Sequence, residues 1–238
     1  MTILHVAAII LCSLAQDPFA VAPNAYKRQF ENAWVRVVRV HYEPREKIAS
    51  HDHPKMATVY VFLRSSGPVR FKHTGEEKFV VVRPEVQAGG FRLGRAVQET
   101  HEVESLSDTP TDFLRVELKT EVADAQTFRG RFPPDPHATA ESSQKVRFEN
   151  AQARILRITC AARGKCMAAR SESPSLLVAI TPAGMKMAVN DGAPSVTKTE
   201  PGQTLWVGAG DRVTLENTGD APAEFLRIEL KTPPRPAG

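Results

Sequence analysis

The chain of 238 residues repeats itself, and this internal repeat limits the folds open to it more than any other feature. The first copy opens with Phe-Glu-Asn at residues 30–32 and ends with Phe-Leu-Arg-Val-Glu-Leu-Lys-Thr at residues 113–120. The second copy opens with Phe-Glu-Asn at residues 148–150 and ends with Phe-Leu-Arg-Ile-Glu-Leu-Lys-Thr at residues 225–232. Each copy has the length of a small domain, so the repeat predicts two similar domains rather than one large one.

The later parts of the two copies align without a gap. The openings of the copies lie 118 positions apart and their ends 112 positions apart. At the smaller offset Gly90 aligns with Gly202, and the alignment then runs unbroken to the end of each copy. This alignment sets His101 of the first copy opposite Val213 of the second.

The earlier parts of the copies also differ in their histidines. An insertion of two residues, anchored at Pro54 and Pro174, brings these segments into alignment. It sets two histidines opposite serines, His51 opposite Ser171 and His53 opposite Ser173. The comparison predicts a metal site in the first copy and a plain second copy. We expect the second half to be structural and to pack against the first through a sheet face or to close one end of its barrel.

Patterns typical of β-strands account for most of both copies. The sequence contains 18 prolines and 14 glycines, which suit short strands and turns, and no amphipathic helix longer than two turns. The predicted strands of the first copy are residues 34–40, 58–63, a hairpin at 69–82 with Gly75 in its turn, and 113–119. Those of the second are residues 153–159, 176–181, a hairpin around Asp191-Gly192, and residues 204–207, 213–217 and 225–231. The sequence therefore predicts an all-β fold.

Residues 1–15 contain no charged side chain and resemble a signal peptide in the length of their apolar run and in the small residues before Gln16. This segment predicts a periplasmic or secreted protein. The alternatives are a misassigned start, which would leave the protein cytoplasmic, and an apolar first strand. The run is too short to span a bilayer, so no membrane anchor is expected. We assign residues 26–120 to the first domain, 121–145 to a linker rich in proline and polar residues, and 146–232 to the second domain.

Two cysteines, Cys160 and Cys166, remain after the predicted leader is removed. In an exported protein they can form a disulfide across a loop, and the alternative is two free thiols. The net charge is +4, but basic and acidic residues alternate along the chain with no basic block beside aromatic residues. Nucleic-acid binding is therefore not expected.

The three histidines of the first copy have a spacing that suits metal binding. His51 and His53 lie two residues apart, so on a strand both side chains point to one face. His101 lies on another predicted strand. Three neutral imidazoles that converge in this way can hold a divalent transition metal and leave positions open for water or substrate.

The sequences Ser-His-Asp-His-Pro at residues 50–54 and Thr-His-Glu-Val-Glu-Ser-Leu-Ser-Asp-Thr-Pro at residues 100–110 resemble the two motifs of small bacterial cupins. The resemblance covers most of the chain and implies a bicupin, with two tandem double-stranded β-helix (jelly-roll) domains. The glutamate that often follows the second histidine is absent, because Ala57 and Thr58 stand in its place. Ser105 replaces the usual asparagine of the second motif. The resemblance therefore implies a site of three histidines, His51, His53 and His101, without a carboxylate.

The resemblance also implies what such a site does. It implies bound iron, manganese, zinc or nickel, a small-molecule substrate and a possible homodimer. We expect either a metal-dependent enzyme of the dioxygenase or isomerase type, or a non-catalytic module that binds a sugar or an organic acid. A purely structural pair with vestigial histidines is a third alternative, because one fold serves many functions.

Three further residues of the first copy have two interpretations each. Glu99 lies two residues before His101 and either points inward to accept a hydrogen bond or is solvated. Tyr60 and Arg70 line the mouth of the barrel or lie on its outer face. We expect His73, beside a turn, to be exposed, and two tryptophans to belong to the core, Trp34 and Trp206.

Overall fold

The structure is a computed structural model that describes residues 16–75, 78–135, 141–166, 170, 172–190 and 192–236. In these ranges the chain forms eighteen β-strands and one helix of four residues, α1 (Pro18–Val21). The predicted all-β fold is confirmed. Among the described residues no helix is long and apolar enough to cross a membrane. The predicted signal peptide, Ser171 and Asp191 lie outside the described ranges.

Ten strands belong to the first half: β1 (Tyr26–Glu31), β2 (Val35–Tyr42), β3 (Lys47–His53), β4 (Ala57–Phe62), β5 (Val69–His73), β6 (Phe79–Arg83), β7 (Phe91–Gly94), β8 (Glu99–Ser105), β9 (Thr111–Leu118) and β10 (Gly130–Phe132). They form a six-stranded antiparallel sheet in the order β1-β2-β9-β4-β7-β10. A second, four-stranded sheet has the order β3-β8-β5-β6 and faces the first. Strand β10 comes from the segment that we assign to the linker, and it pairs with β7.

Eight strands belong to the second half: β11 (Ser143–Glu149), β12 (Ala153–Cys160), β13 (Ser175–Ala179), β14 (Ala183–Val189), β15 (Ser195–Thr199), β16 (Thr204–Val207), β17 (Val213–Asn217) and β18 (Ala223–Leu230). They form sheets in the orders β11-β12-β18-β13-β16 and β15-β14-β17. Where β3 stands in the first half, the described part of the second has only a bridge between Lys165 and Glu216. This bridge repeats the pair of Lys47 and Glu104 in the first half.

The two halves pack through a sheet face and share one hydrophobic core. The six-stranded sheet lies against the five-stranded sheet, and buried side chains of both meet there, among them Val37, Val59, Val116, Ile155, Leu176 and Ile228. The other face of each large sheet lines the interior of its own half. Strands β4 and β9 are thus buried on both faces, which explains why residues 59–63 have large apolar or aromatic side chains on both faces. Trp34 and Trp206 meet at the same interface with ring centroids 6.4 Å apart.

The repeated sequence ends are joined by the same bonds in each half. The Asn32 side chain accepts hydrogen bonds from the backbone N–H groups of Trp34 and Val35 at 2.8 and 2.9 Å. Lys119 Nζ donates to the Asn32 carbonyl at 2.8 Å and pairs with Glu31 at 3.0 Å. In the second half Asn150, Lys231 and Glu149 make equivalent bonds. These bonds therefore tie the turn between β1 and β2 to the end of β9, and the turn between β11 and β12 to the end of β18.

The strand registers correct the alignment of the first parts of the two copies. Thr58 pairs with Glu117 between β4 and β9, and Ser175 pairs with the matching glutamate between β13 and β18. Thr58 and Ser175 are therefore equivalent, and the alignment of Pro54 with Pro174 is wrong. The serine counterparts that we inferred for His51 and His53 are wrong with it, because they depended on that alignment.

A second correction concerns the glycines at the start of the later segments. Gly89 N donates to Phe62 O and Gly202 N donates to Ala179 O, each at 2.8 Å, at equivalent points of the two large sheets. Gly89, not Gly90, is therefore the counterpart of Gly202. Both have positive φ angles, +80° and +86°, which glycine adopts most readily. The segment from Gly202 to Val213 is one residue shorter than the segment from Gly89 to His101, and this difference restores the alignment of His101 with Val213.

Cys160 and Cys166 form a disulfide, so the first of the two alternatives for these cysteines is the one found. The bond joins the end of β12 to the loop that follows it. Cys166 also donates its backbone N–H to Leu215 O at 2.8 Å, which links this loop to β17. The disulfide therefore stands at the place where β3 stands in the first half.

Candidate metal centre

The three histidines predicted as metal ligands lie together inside the first half. His51 and His53 both face the interior from β3, and β8 sets His101 directly opposite His51. A potential ligand nitrogen of each histidine lies within 4.8 Å of those of the other two, and all three side chains are buried. In the described part of the chain this is the one cluster of three or more His, Cys, Asp or Glu side chains with such spacing.

Hydrogen bonds fix the orientation of His51. Its Nδ1 lies 2.8 Å from Ala49 O, and a carbonyl oxygen can only accept, so Nδ1 donates. Burial lowers the pKa of His51, so the ring is neutral near pH 7 and Nε2 carries a lone pair. Tyr26 Oη donates to Nε2 at 2.9 Å, and Tyr42 Oη donates in turn to Tyr26 at 2.9 Å. A metal ion bound through His51 Nε2 would replace the hydrogen bond from Tyr26.

His101 provides the test of whether the residues fit a metal. Both of its ring nitrogens are buried, and neither has a hydrogen-bond partner among the described residues. A buried lone pair without a partner is rare and costly, and a metal ion would satisfy it. Burial lowers the pKa of His101 to about 3, although the charge of Glu99 opposes this shift. The ring is therefore neutral near pH 7.

The pKa of His53 is also lowered well below its usual value, first by burial and then by the charge of Arg115. All three imidazoles are thus neutral near pH 7, which is the form that binds metals. The donor set, three imidazole nitrogens, suits iron, manganese, nickel or zinc. The residues therefore fit the divalent metal that the sequence predicts.

No carboxylate belongs to this cluster in the described part of the chain. Ala57 and Thr58, which stand where the glutamate was expected, are buried at the start of β4, and Thr58 Oγ1 donates to Met56 O at 3.1 Å. Glu99 does point inward, but Arg115 Nη1 lies 3.3 Å from its carboxylate. Burial alone would raise the pKa of Glu99, and the charge of Arg115 brings it below its usual value. Glu99 is therefore an anion held by Arg115.

Arg115 connects three groups around the site. Besides Glu99, it donates from Nη1 to Tyr60 Oη at 3.0 Å and from Nε to Glu117 at 2.8 Å. Glu117 Oε2 also accepts a hydrogen bond from Arg36 Nε at 2.5 Å. Although burial opposes its charge, Tyr60, Glu99 and Glu117 together raise the pKa of Arg115. The guanidinium is thus partnered at Nε and Nη1, and it holds Glu99 and Tyr60 in position at the wall of the interior.

The structure decides between the interpretations of three further residues. Tyr60 lines the interior, whereas Arg70 lies on the outer face and pairs with Glu104 at 2.5 Å. The expectation that His73 is exposed is wrong. Its ring lies 5.4 Å from that of His101, because the two residues pair across β5 and β8, and it stacks on Phe79 with centroids 4.1 Å apart. His73 is half-buried and its Nε2 has no partner among the described residues.

A cavity of about 780 Å³ lies beside the histidines, and His53 and His101 form part of its wall. Aromatic side chains supply much of the lining, among them Tyr60, Phe62, Phe71, Phe91 and Phe113. Its charged residues are Arg83, Arg92, Arg115, Arg131, Glu85 and Glu99. The volume is that of an ordinary small-molecule site.

Arg83 and the two tyrosines near His51 were not predicted from the sequence. Arg83 pairs across the β5–β6 hairpin with Val69, whose buried side chain faces the interior. Directly paired residues share a face of a sheet, so the register of the predicted hairpin contained the signal for Arg83. Tyr26 lies on β1, whose mostly exposed residues show no strand pattern that would single out one tyrosine.

The interior of the second half is filled with apolar side chains. Val213 replaces His101, and Leu177 replaces Tyr60 at the equivalent pairing position. The cluster there contains Ile158, Met185, Val207, Leu215 and Phe225. The second half therefore has no histidine in its sequence, and apolar side chains fill the described part of its interior.

No protein-family model matches the chain, and no curated protein sequence matches it. Solved structures do. AerE from Microcystis aeruginosa matches with a TM-score of 0.60 at 10% identity, over 87% of this chain and 97% of that one. A cupin 2 conserved barrel domain protein from Leptotrichia buccalis matches with a TM-score of 0.53 at 12% identity, over 87% and 88%. A variant of salicylate 1,2-dioxygenase from Pseudoaminobacter salicylatoxidans matches with a TM-score of 0.56 at 10% identity, over 83% and 71%.

At these identities the likeness shows the fold. The chain has the cupin fold in two tandem copies, as the resemblance of its motifs implies. The histidine cluster of the first copy lies inside a cupin barrel, and the second copy is a filled barrel of the same type.

Proposed function

We propose that the protein is a metal-dependent enzyme that acts on a small molecule, with a divalent transition metal held by His51, His53 and His101. The observation that carries the proposal is the cluster of three neutral, buried imidazoles beside a substrate-sized cavity, two of which form part of its wall. The dioxygenase among the structurally similar proteins favours oxidoreductase chemistry, and an isomerase is the alternative within the same class.

The residues around the cluster have defined tasks in this proposal. A divalent metal with three neutral ligands keeps its full charge and supplies Lewis-acid or redox chemistry. Burial, reinforced by Tyr42, raises the pKa of Tyr26 well above its usual value, so the Tyr26 hydroxyl stays protonated and donates a hydrogen bond. Arg115 fixes Tyr60 and Glu99 at the cavity wall, and the aromatic lining excludes water from a bound substrate.

The first test is the metal content of the protein from residue 16 onward, measured by elemental mass spectrometry after purification without added metal. We expect about one equivalent of iron, manganese, nickel or zinc. The combined substitution His51→Ala, His53→Ala and His101→Ala should remove it while circular dichroism stays that of a folded β protein. The matched control is His41→Ala, because His41 lies on β2 outside the cluster and should leave the metal in place. No metal in the wild-type protein, even after reconstitution, would contradict the enzyme proposal.

A second function is supported by the composition of the site. Glu99 is the carboxylate that faces the cluster from β8, and its bond to Arg115 reduces its capacity to act as a general base. A barrel whose inward-facing Glu99 is held in this way suits a module that binds a sugar or an organic acid without converting it. Binding of ligands to the protein with no turnover in the metal-loaded form would favour this alternative.

We further propose that the protein is exported and works in the periplasm or outside the cell. The support is the apolar segment before Gln16, together with the disulfide between Cys160 and Cys166, since disulfides persist in oxidising compartments. Cell fractionation with the native start, followed by determination of the mature N-terminus, tests this proposal. A protein found uncleaved in the cytoplasm would contradict it. The homodimer that the resemblance implies stays a prediction.

A further inference from the structure

Charge is distributed unevenly in the cavity of the first half. Four arginines and two glutamates line it in the described part of the chain, with no lysine or aspartate. The cavity therefore has an excess of two positive charges. Arg115 is paired with Glu99, so the excess comes from the other three arginines, which Glu85 balances only in part.

Arg83 is the most informative of these three. Its Nε is buried and has no hydrogen-bond partner among the described residues, and no carboxylate there pairs with its guanidinium. Burial and the nearby charge of Arg92 lower the pKa of Arg83 to about 10, so it still carries its charge near pH 7. Arg83 is half-buried, and a guanidinium whose buried Nε has no acceptor is unfavourable, because buried polar groups are almost always hydrogen-bonded.

The positions of Arg83 and Arg92 relate the charge to the aromatic walls and to the histidines. The Arg83 guanidinium lies over the Phe71 ring at 5.1 Å, and the Phe71 ring lies 5.2 Å from that of His101. The Arg92 guanidinium lies over the Tyr60 ring at 3.9 Å. Each charge is thus stacked on an aromatic side chain of the cavity wall, with one ring between Arg83 and the metal cluster.

We propose that the cavity binds a small organic carboxylate, with its anionic group on Arg83 and Arg92 and an apolar, ring-sized body between the aromatic walls. A planar guanidinium offers paired N–H donors that match a carboxylate. The aromatic lining excludes a fully hydrated inorganic anion and provides stacking for a flat body. This inference names the substrate class of the site and so rests on the proposed function for its catalytic meaning, while the binding itself requires no metal.

The test measures binding of benzoate, phenylacetate and cyclohexanecarboxylate by isothermal titration and by protection against thermal unfolding. The corresponding neutral amides and inorganic phosphate are the comparison ligands. Each titration is done on chelator-treated protein and on metal-loaded protein. We expect at least one carboxylate to bind ten-fold more tightly than its amide and than phosphate in both forms.

The variant Arg83→Gln should lower carboxylate affinity at least ten-fold and should leave amide binding nearly unchanged. Because it removes a half-buried charge whose Nε has no partner, it should leave the melting temperature of the ligand-free protein nearly unchanged, which separates loss of binding from loss of folding. Arg83→Lys should recover part of the affinity. The matched control is Arg70→Gln on the same hairpin, since Arg70 lies on the outer face. It should bind the carboxylates like the wild type.

Failure of this inference and failure of the proposed function are distinguishable. A protein without metal that still prefers carboxylates through Arg83 would support the inference and contradict the enzyme proposal. Equal binding of carboxylate and amide, tighter binding of phosphate, an Arg83→Gln variant that binds like the wild type, or no binding of any carboxylate would each overturn the inference, whatever the metal content.

Discussion

At the scale of single residues, the site depends on imidazoles that burial keeps neutral. The pKa of His101 is about 3 in the folded protein, against about 6.5 in an unfolded chain. Between these values the unfolded state binds a proton that the folded state does not, so acid favours unfolding. In chelator-treated protein the free energy of unfolding should therefore fall between pH 6.5 and pH 4. The loss from His101 should be roughly 1.4 kcal/mol per pH unit.

Urea unfolding at pH 7, 6, 5 and 4 measures this dependence. His101→Gln is the informative variant, because the difference between its pH profile and that of the wild type removes the contribution of carboxylates elsewhere. His41→Ala, which changes a partly exposed histidine on β2 outside the cluster, is the matched control. Equal slopes for wild type and His101→Gln would show that His101 titrates normally and would contradict the buried, neutral cluster.

The sequence reveals a site residue when the pattern that marks it lies in neighbouring residues or in the sister copy, and not when it depends on pairing between strands. His51 and His53 were predictable because alternation on a strand is a property of adjacent residues, and His101 because the sister copy has valine there. Arg83 was missed because its inward direction follows from the cross-strand register with Val69, which a single strand does not encode. Burial of His73 likewise requires its pairing with His101.

At the scale of elements, the turns that precede β7 and β16 need a backbone that other residues adopt poorly. Gly202 has φ of +86°, and a Cβ there would lie 2.6 Å from Leu63 Cδ1 of the other half. Gly202→Ala should therefore lower the free energy of unfolding by roughly 1–3 kcal/mol through strain and displaced packing. Chemical denaturation measures the change.

Gly75→Ala is the control for this substitution. Gly75 lacks a positive φ angle, and a Cβ there would meet Thr100 at 3.4 Å, an ordinary contact. This variant should differ from the wild type by less than about 0.5 kcal/mol. A Gly202→Ala protein as stable as the Gly75→Ala protein would mean that the turn relaxes without cost, against the packing described here.

The strands themselves were largely predictable, and their exact correspondence between the copies was not. Residues 204–207 and 213–217 are β16 and β17 with the predicted bounds. The equivalence of Gly89 with Gly202 and of Thr58 with Ser175 depends on gaps in loops, where the sequences share too little to place them. Hydrogen-bonded registers locate these gaps because a residue's partner across the sheet is fixed by geometry.

At the scale of the whole molecule, the second half supports the first through the shared core and through specific bonds. Arg157 donates to the carbonyl of Gly89, and Gln29 donates to that of Gly202 at 2.7 Å. Gly89 follows the segment of residues 84–87 that lines the cavity. The second half thus holds one side of the cavity in place, so it supports the site although it has no histidine cluster of its own.

Because the core is shared, the full chain should unfold in one cooperative transition. Fluorescence of Trp34 and Trp206 reports the interface between the halves, and circular dichroism reports the strands of both. The two urea curves should have the same midpoint and slope. A fluorescence change that is complete before the circular dichroism changes would mean that the halves separate first and are independently stable.

The repeat predicts two similar units, but the sequence does not tell which of their faces meet. Val37, Val59 and Val116 point to the interface, while Val38, Tyr60 and Arg115 on the same strands point to the interior. Because both faces of these strands are apolar, the sequence does not favour packing of the halves through a sheet face over closure of one end of the barrel. The fold of each half is therefore readable from its own pattern, and their assembly is not.

The central claim is that one metal ion binds in the first half at His51, His53 and His101. The most direct test is a crystal structure of metal-loaded protein, with anomalous diffraction measured at the absorption edge of the metal found by elemental analysis. We expect one anomalous peak within about 2.3 Å of a nitrogen of each histidine and none in the second half. No peak at the three histidines, or a peak held by other residues, would contradict it.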